Sequence, residues 1–146
     1  MGKDNATIAN YIQILREIEI LRFLLIDKHS HSLVRNAEKI YLNNTNLLYA
    51  INNAIGKSTN IGLAREIFVV SSLQNAGLDV FYSRSGDIVC NEFVFEIGGA
   101  NKTRKQIKNV KNSYLVKDDI LYLSGREVPI FLFGFLSASN VHSTAA

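Results

Sequence analysis

Two short apolar runs, Asp87–Asn91 and Phe93–Ile97, meet around Asn91-Glu92 and alternate as the two arms of a β-hairpin. With Asn91 and Glu92 as the turn, Cys90 faces Phe93, Val89 faces Val94, Ile88 faces Phe95 and Asp87 faces Glu96. Side chains alternate between the faces of a strand. One face therefore carries Ile88, Cys90, Phe93, Phe95 and Ile97, is wholly apolar, and must be covered by a helix. The strongest helical stripe in the chain, Ile61–Ala76, is the natural cover: Ile61, Ala64, Phe68, Ser72 and Leu73 share a side, and Gly77 follows as the C-terminal stop. The other hairpin face brings Asp87 and Glu96 side by side, with Cβ atoms roughly 4.5–5.5 Å apart. Like charges at that spacing destabilise a sheet, and a shared Mg²⁺, bound to carboxylate oxygens at about 2.1 Å, removes the penalty. Two plainer readings stay open: the acids lie at the solvated end of the hairpin, or a lysine neutralises them. Asn-Glu is also not a strong two-residue turn, and a register slip would undo the pairing.

The remaining elements follow from periodicity. Ile8, Tyr11, Ile12, Ile14, Leu15 and Ile18 form a helical stripe over Thr7–Ile18, with Asp4 and Asn5 as candidate caps. Ile20–Ile26 reads as a buried strand, with helix continuation as the other reading, and Asp27–Ser32 as a turn. Lys39–Leu42 is a second β-like run. A helix starting at Asn43 or Asn44 carries Leu47, Leu48 and Ile51. The polar stretch Asn52–Asn60 is the expected boundary between an N-terminal unit (1–55) and a denser second unit (56–137), with a frayed tail over 138–146. In that second unit, Leu78–Ser83 reads as a strand. Gly98-Gly99 breaks the chain, and Thr103 with Gln106 matches a capping box for a helix over Thr103–Leu115. Ile120–Leu123 and Pro129–Leu136 read as closing strands. The expected class is α/β or α+β, with a mixed sheet flanked by helices.

Composition limits the functional classes. Of 146 residues, 47% are hydrophobic and 20% charged, which is globular and excludes wholesale disorder. The lone Cys90 excludes a disulfide framework and a thiolate zinc cluster, and fits a reducing, cytoplasmic setting. No apolar run approaches the roughly 20 residues of a membrane span. Lys3-Asp4-Asn5 leads straight into an amphipathic pattern, so no signal peptide is expected. Gly56-Lys57-Ser58 has the ending of a phosphate-binding loop, but the glycine needed five residues earlier is Ile51 and no strand precedes it, so the amides cannot wrap a phosphate and no ATP site is expected. His29 and His31 would share one side of a strand without a third ligand, and read as a solvated tip. Tyr11, Tyr41, Tyr49 and Phe68 read as packing.

An ordered set of segments points further. Lys39-Ile40-Tyr41-Leu42-Asn43-Asn44-Thr45-Asn46-Leu47, Arg65-Glu66-Ile67-Phe68, Asp87–Asn91, Phe95-Glu96-Ile97-Gly98-Gly99, Asn112-Ser113-Tyr114-Leu115, Asp118-Asp119-Ile120 and Pro129–Leu136 together resemble the C-terminal portion of bacterial and archaeal AAA-type ATP-binding proteins. The resemblance spans roughly Thr7–Leu136. It implies the end of a winged helix followed by a restriction-endonuclease-like domain of unknown function, with the ATPase module absent from this chain and a candidate partner. Its nuclease pattern uses a helix glutamate, a strand aspartate and a second strand ending in Glu-x-Lys. Glu66, Asp87 and Glu96 match the three acids, which would make them catalytic, with Asp87 and Glu96 holding Mg²⁺. The lysine position is Gly98, and Lys102 is the nearest substitute.

Lys102, Arg104, Lys105, Lys108 and Lys111 then form a basic run without an acid, expected on the helix after Gly98-Gly99 and suited to a phosphodiester backbone. A solvated helix has the same pattern. With Gly98 in place of the motif lysine, the sequence favours a non-catalytic endonuclease-like module that binds DNA or a partner chain. The alternatives are a Mg²⁺-dependent endonuclease and a protein-interaction domain with no nucleic-acid role.

Overall fold

The computed structural model describes residues 5–26 and 37–138. Helix α1 (Asn5–Glu17) leads into an antiparallel pair, β1 (Leu21–Leu25) and β2 (Ala37–Leu42), and then α2 (Thr45–Ala54). Helix α3 (Ile61–Asn75) opens the second part. It is followed by β3 (Val80–Tyr82), β4 (Ile88–Cys90), β5 (Phe93–Gly98), β6 (Ser113–Lys117), β7 (Glu127–Pro129) and a 3-10 helix, Ile130–Phe135. Strands β3 to β7 lie in chain order in one mixed sheet. The β3–β4 and β4–β5 pairs are antiparallel, and β5–β6 and β6–β7 are parallel. The class is therefore α+β with a five-stranded mixed sheet. The tip at 27–36, with His29 and His31, the candidate cap Asp4 and the tail beyond 138 lie outside the described residues.

Local chemistry explains the helix limits. Asn44 and Asn60 cap α2 and α3, accepting from the Leu47 and Leu63 amides. Both helices stop on a glycine with positive φ, at +67° for Gly56 and +83° for Gly77. Lys57 donates to the Asn52 carbonyl and Leu78 to the Leu73 carbonyl, so each end reverses through a Schellman motif. Gly56 is thus a helix terminator, and Lys57-Ser58 belongs to the loop that follows.

The hairpin register is the one read from the sequence: Ile88 pairs with Phe95, Val89 with Val94 and Cys90 with Phe93. Its apolar face packs on α3. Ile88, Cys90 and Ile97 share one buried cluster with Ile67, Val70 and Leu73. Leu24, Tyr41 and Leu48 belong to the same cluster, so residues on both sides of the expected boundary at 52–60 bury one core.

Three expected elements differ. The helix over Thr103–Leu115 is absent: 104–109 forms hydrogen-bonded turns and β6 begins at Ser113. The buried Ser113 hydroxyl is the organising group. It contacts the Ile107 carbonyl at 3.0 Å and the Val110 carbonyl at 2.7 Å, and accepts from Arg104 Nη2 at 2.9 Å. A serine competing for main-chain carbonyls disfavours a helix, and Asn112, at φ +52°, turns the chain into β6. The expected helix N-terminus near Gly98-Gly99 is likewise a turn, with the Lys102 amide donating to the Gly99 carbonyl. Ile120–Leu123 is not a strand. Leu121, Tyr122 and Leu123 are 72%, 81% and 68% exposed, on the loop that carries the chain back so that β7 can pair parallel to β6. The run Pro129–Leu136 closes as a 3-10 helix instead of a strand. Its three-residue period turns Ile130 and Phe133 inward, and Gly134 lets the Phe68 ring approach.

Candidate active site

The acids expected to act together do face a common site, each through a different local device. Gly86 lets the chain cross close to β5: a Cβ there would stand 2.8 Å from Val94 Cγ1 and 2.9 Å from the Phe95 carbonyl oxygen. The Ser83 hydroxyl accepts from the Ser85 and Gly86 amides and sets this bend. Asp87 lies one residue before the ladder, which ends at Ile88–Phe95, and its amide donates to the Phe95 carbonyl, so the expected Asp87–Glu96 pair is not part of the ladder. Asp87 Oδ2 accepts from the Ile97 amide at 2.8 Å, which fixes the carboxylate against β5. Glu96 is 1% exposed. Glu66 projects from α3 and accepts from the Tyr41 hydroxyl and, at 2.9 Å, from Lys39 Nζ.

Two lysines complete the constellation. Lys39 Nζ also lies 3.5 Å from Asp87 Oδ1, so one ammonium bridges the helix acid and the first strand acid. Lys102 Nζ lies 2.5 Å from Glu96 Oε1. Its stem runs directly over Gly98: a Cβ on Gly98 would stand 2.5 Å from Lys102 Cβ and Cγ, and 2.8 Å from Cδ. The space that a side chain at 98 would use is filled by Lys102, arriving from the turn four residues on. Lys102, Thr103, Lys105 and Gln106 line an open groove of about 440 Å³ with Glu96 at its wall.

Electrostatics binds the groups into one unit. The Lys102 pKa is raised, chiefly by the hydrogen bond to Glu96 against a smaller opposing effect of burial, with the Glu96, Asp87 and Glu66 charges adding. For Lys39, burial pulls downward, but the hydrogen bond and charge of Glu66 and the charge of Asp87 outweigh it and the net shift is upward. Tyr41 is pushed far up by burial, then by its bond to Glu66 and by the two nearby carboxylates, so its hydroxyl stays protonated and donates. Among the described residues, no three Asp, Glu, His or Cys side chains are drawn into a ready-made cation cage. The acids are held by ammonium groups instead. Glu96 Oε2 is buried with no hydrogen-bond partner, an orphaned acceptor that a cation would satisfy. The donor set, carboxylate oxygens only, is the one Mg²⁺ prefers.

The basic run divides. Lys105, Lys108 and Lys111 are exposed, and Lys105 lines the groove. Arg104 turns inward to the Ser113 carbonyl and hydroxyl and is a packing residue. Arg65, next to Glu66 on α3, pairs with Asp118 at 3.0 Å. Lys39 and Tyr41 were not foreseen as site residues. Their signal was available: residues two apart on a strand share a face, and a lysine between apolar strand positions needs an acid to meet.

Searches against family models, curated proteins and solved structures return no match to this chain.

Proposed function

We propose that this chain hydrolyses a phosphodiester, acting on nucleic acid with a divalent cation at an endonuclease-like site. The observation that carries the reading is Lys102: its stem occupies the side-chain space of Gly98 and its ammonium meets Glu96. Position 98, two residues after Glu96, is a glycine, and the Lys102 ammonium beside Glu96 is what supports reading the site as catalytic over a non-catalytic module. A Mg²⁺ held by Asp87 and Glu96 would supply a Lewis acid for a phosphoryl oxygen and a more acidic water. The protein's own groups do the rest. Asp87 is oriented by the Ile97 amide. Lys102 opposes the charge of the phosphate at the groove mouth, and Lys105, exposed beside it, extends the positive track along the backbone. Following the family resemblance, DNA is the substrate and an ATP-binding module the partner.

The test is cleavage of duplex and single-stranded DNA with Mg²⁺, with chelator as control. Activity is expected in the native chain and lost in Asp87→Asn and Glu96→Gln. Equal nicking in all three proteins would refute the reading. Binding without cleavage is the second reading, favoured by the saturation of Glu66 and Asp87 by Lys39. It would appear as salt-dependent DNA binding, weakened by Lys105→Ala and Lys108→Ala, with no hydrolysis.

A further inference from the structure

The ammonium of Lys39 stands between two carboxylates of the site, and nothing in the proposed chemistry uses it. It is not a loose surface lysine. Strand β2 is tied to β1, and Arg22 of β1 bonds Gln74 Oε1 at 2.9 Å and Asn75 Oδ1 at 2.6 Å at the end of α3. Tyr41, next on the same face of β2 and 4% exposed, anchors Glu66 from the adjoining position. The hairpin therefore delivers Lys39 to Glu66 and Asp87 by construction.

We propose that Lys39 is the resident counter-cation of the Glu66–Asp87 pair, that a divalent cation enters the site by displacing it, and that Lys39 thereby sets the affinity of the site for that cation. The inference rests on the reading of Asp87 and Glu96 as cation ligands. Three carboxylates and two ammonium groups leave the cluster at −3 + 2 = −1 in formal charge. A divalent ion added with both lysines in place would make it +1 in a partly buried pocket, and the ion would face an ammonium in contact with its own ligand. The two lysines are not equivalent. Lys102 leaves Glu96 Oε2 free for an ion. Lys39 contacts Asp87 Oδ1, while Oδ2 is already taken by the Ile97 amide. An ion binding Asp87 Oδ1 would meet the Lys39 ammonium there, and like-charge repulsion favours displacement of the lysine. It can leave, because its side chain is 29% exposed and can reach water. Glu66 stays oriented afterwards by the Tyr41 hydroxyl.

The experiment is calorimetric titration of the native chain with Mn²⁺, beside Lys39→Met, which keeps the stem, Lys39→Arg, which keeps the charge, and Asp87→Asn. Lys39→Met should bind Mn²⁺ on the order of tenfold more tightly, since one like charge at contact distance is removed. Lys39→Arg should resemble the native chain, and Asp87→Asn should lose the site. Independently of any variant, Mg²⁺ should shift the NMR signal of the Lys39 side-chain ammonium in the native protein and speed its exchange with water. Asp87-dependent Mn²⁺ binding that Lys39→Met leaves unchanged or weakens, or a Lys39 signal untouched by saturating Mg²⁺, overturns the exchange while sparing the site. Absence of Asp87-dependent Mn²⁺ binding in both the native chain and Lys39→Met overturns the site itself, and the exchange with it.

Discussion

Replacing Lys102 by Met removes the ammonium and keeps the stem that covers Gly98. Glu96, 1% exposed, then holds a carboxylate with no cation beside it and with Oε2 already unpartnered. Removing one partner of a fully buried pair costs about 3–5 kcal/mol. The Lys102 side chain is 39% exposed, so water replaces part of what is lost. Discounted for that access, the cost is about 1–3 kcal/mol. For a domain of this size, each kcal/mol lowers Tm by roughly 2–4 °C, so a drop of about 2–12 °C is expected. The charge origin has its own signature. Adding Glu96→Gln to Lys102→Met removes the uncompensated charge, so the double variant should recover most of the lost stability in a thermal-unfolding double-mutant cycle at neutral pH. A Tm within about 1 °C of native for Lys102→Met, or additive losses in the double variant, would refute the reasoning.

Other expectations follow from the same contacts. Gly98→Ala drives a Cβ into Lys102 at 2.5 Å and should cost about 1–3 kcal/mol in urea unfolding. Combining it with Lys102→Gly, which clears that space, should be milder than the two losses summed. Tyr41→Phe strips Glu66 of its hydroxyl donor and should destabilise by about 1–3 kcal/mol in the same assay. The Cys90 thiol, pushed up first by burial and then by the Asp79 charge, should resist alkylation in the folded chain. Because its folded pKa lies above its unfolded value of 9.0, its contribution to stability is complete below that pH and is lost as the pH rises beyond it. Cys90→Ala, followed by unfolding across that alkaline range, should show a flatter decline than the native chain.

The parts of the fold legible in the sequence are those set by local chemistry and a strict period. The alternation around Asn91-Glu92 specified the hairpin register, because a slip of one residue would have turned Ile88, Cys90 and Ile97 out of the core. The start of α2 was legible as Asn43 or Asn44, of which Asn44 is the cap, and the end of α3 as Gly77; the Asn60 cap and the Gly56 stop come from the structure. Regions decided by tertiary contacts were misread. The segment Thr103–Leu115 has a helical pattern of lysines and a plausible cap. What shapes it is a buried Ser113 that gathers the Ile107 and Val110 carbonyls, and Ile107 packed fully beneath the turns. The site divides in the same way. Strand alternation put Asp87 at one end of the hairpin and Glu96 on its second arm, while the ladder itself ends at Ile88–Phe95. Lys39 reaches Glu66 through the docking of β2 on α3, and Lys102 reaches Glu96 through a turn over a glycine. Both contacts join residues distant in their local pattern, and neither has a period to announce it.

The central claim is that a lysine rising from the turn serves the site in place of one on the strand. The most direct measurement relocates it. Mg²⁺-dependent DNA cleavage is compared for the native chain, Lys102→Gly, and Gly98→Lys combined with Lys102→Gly, all confirmed folded by their unfolding transitions. Glycine is required at 102 because even an alanine Cβ would collide with a side chain at 98. Lys102→Gly should reduce the rate on the order of 10²-fold, as loss of an electrostatic stabiliser does. The relocated lysine should restore at least roughly tenfold of it. Cleavage by Lys102→Gly at the native rate, or no Mg²⁺-dependent cleavage by the native chain, would contradict the account.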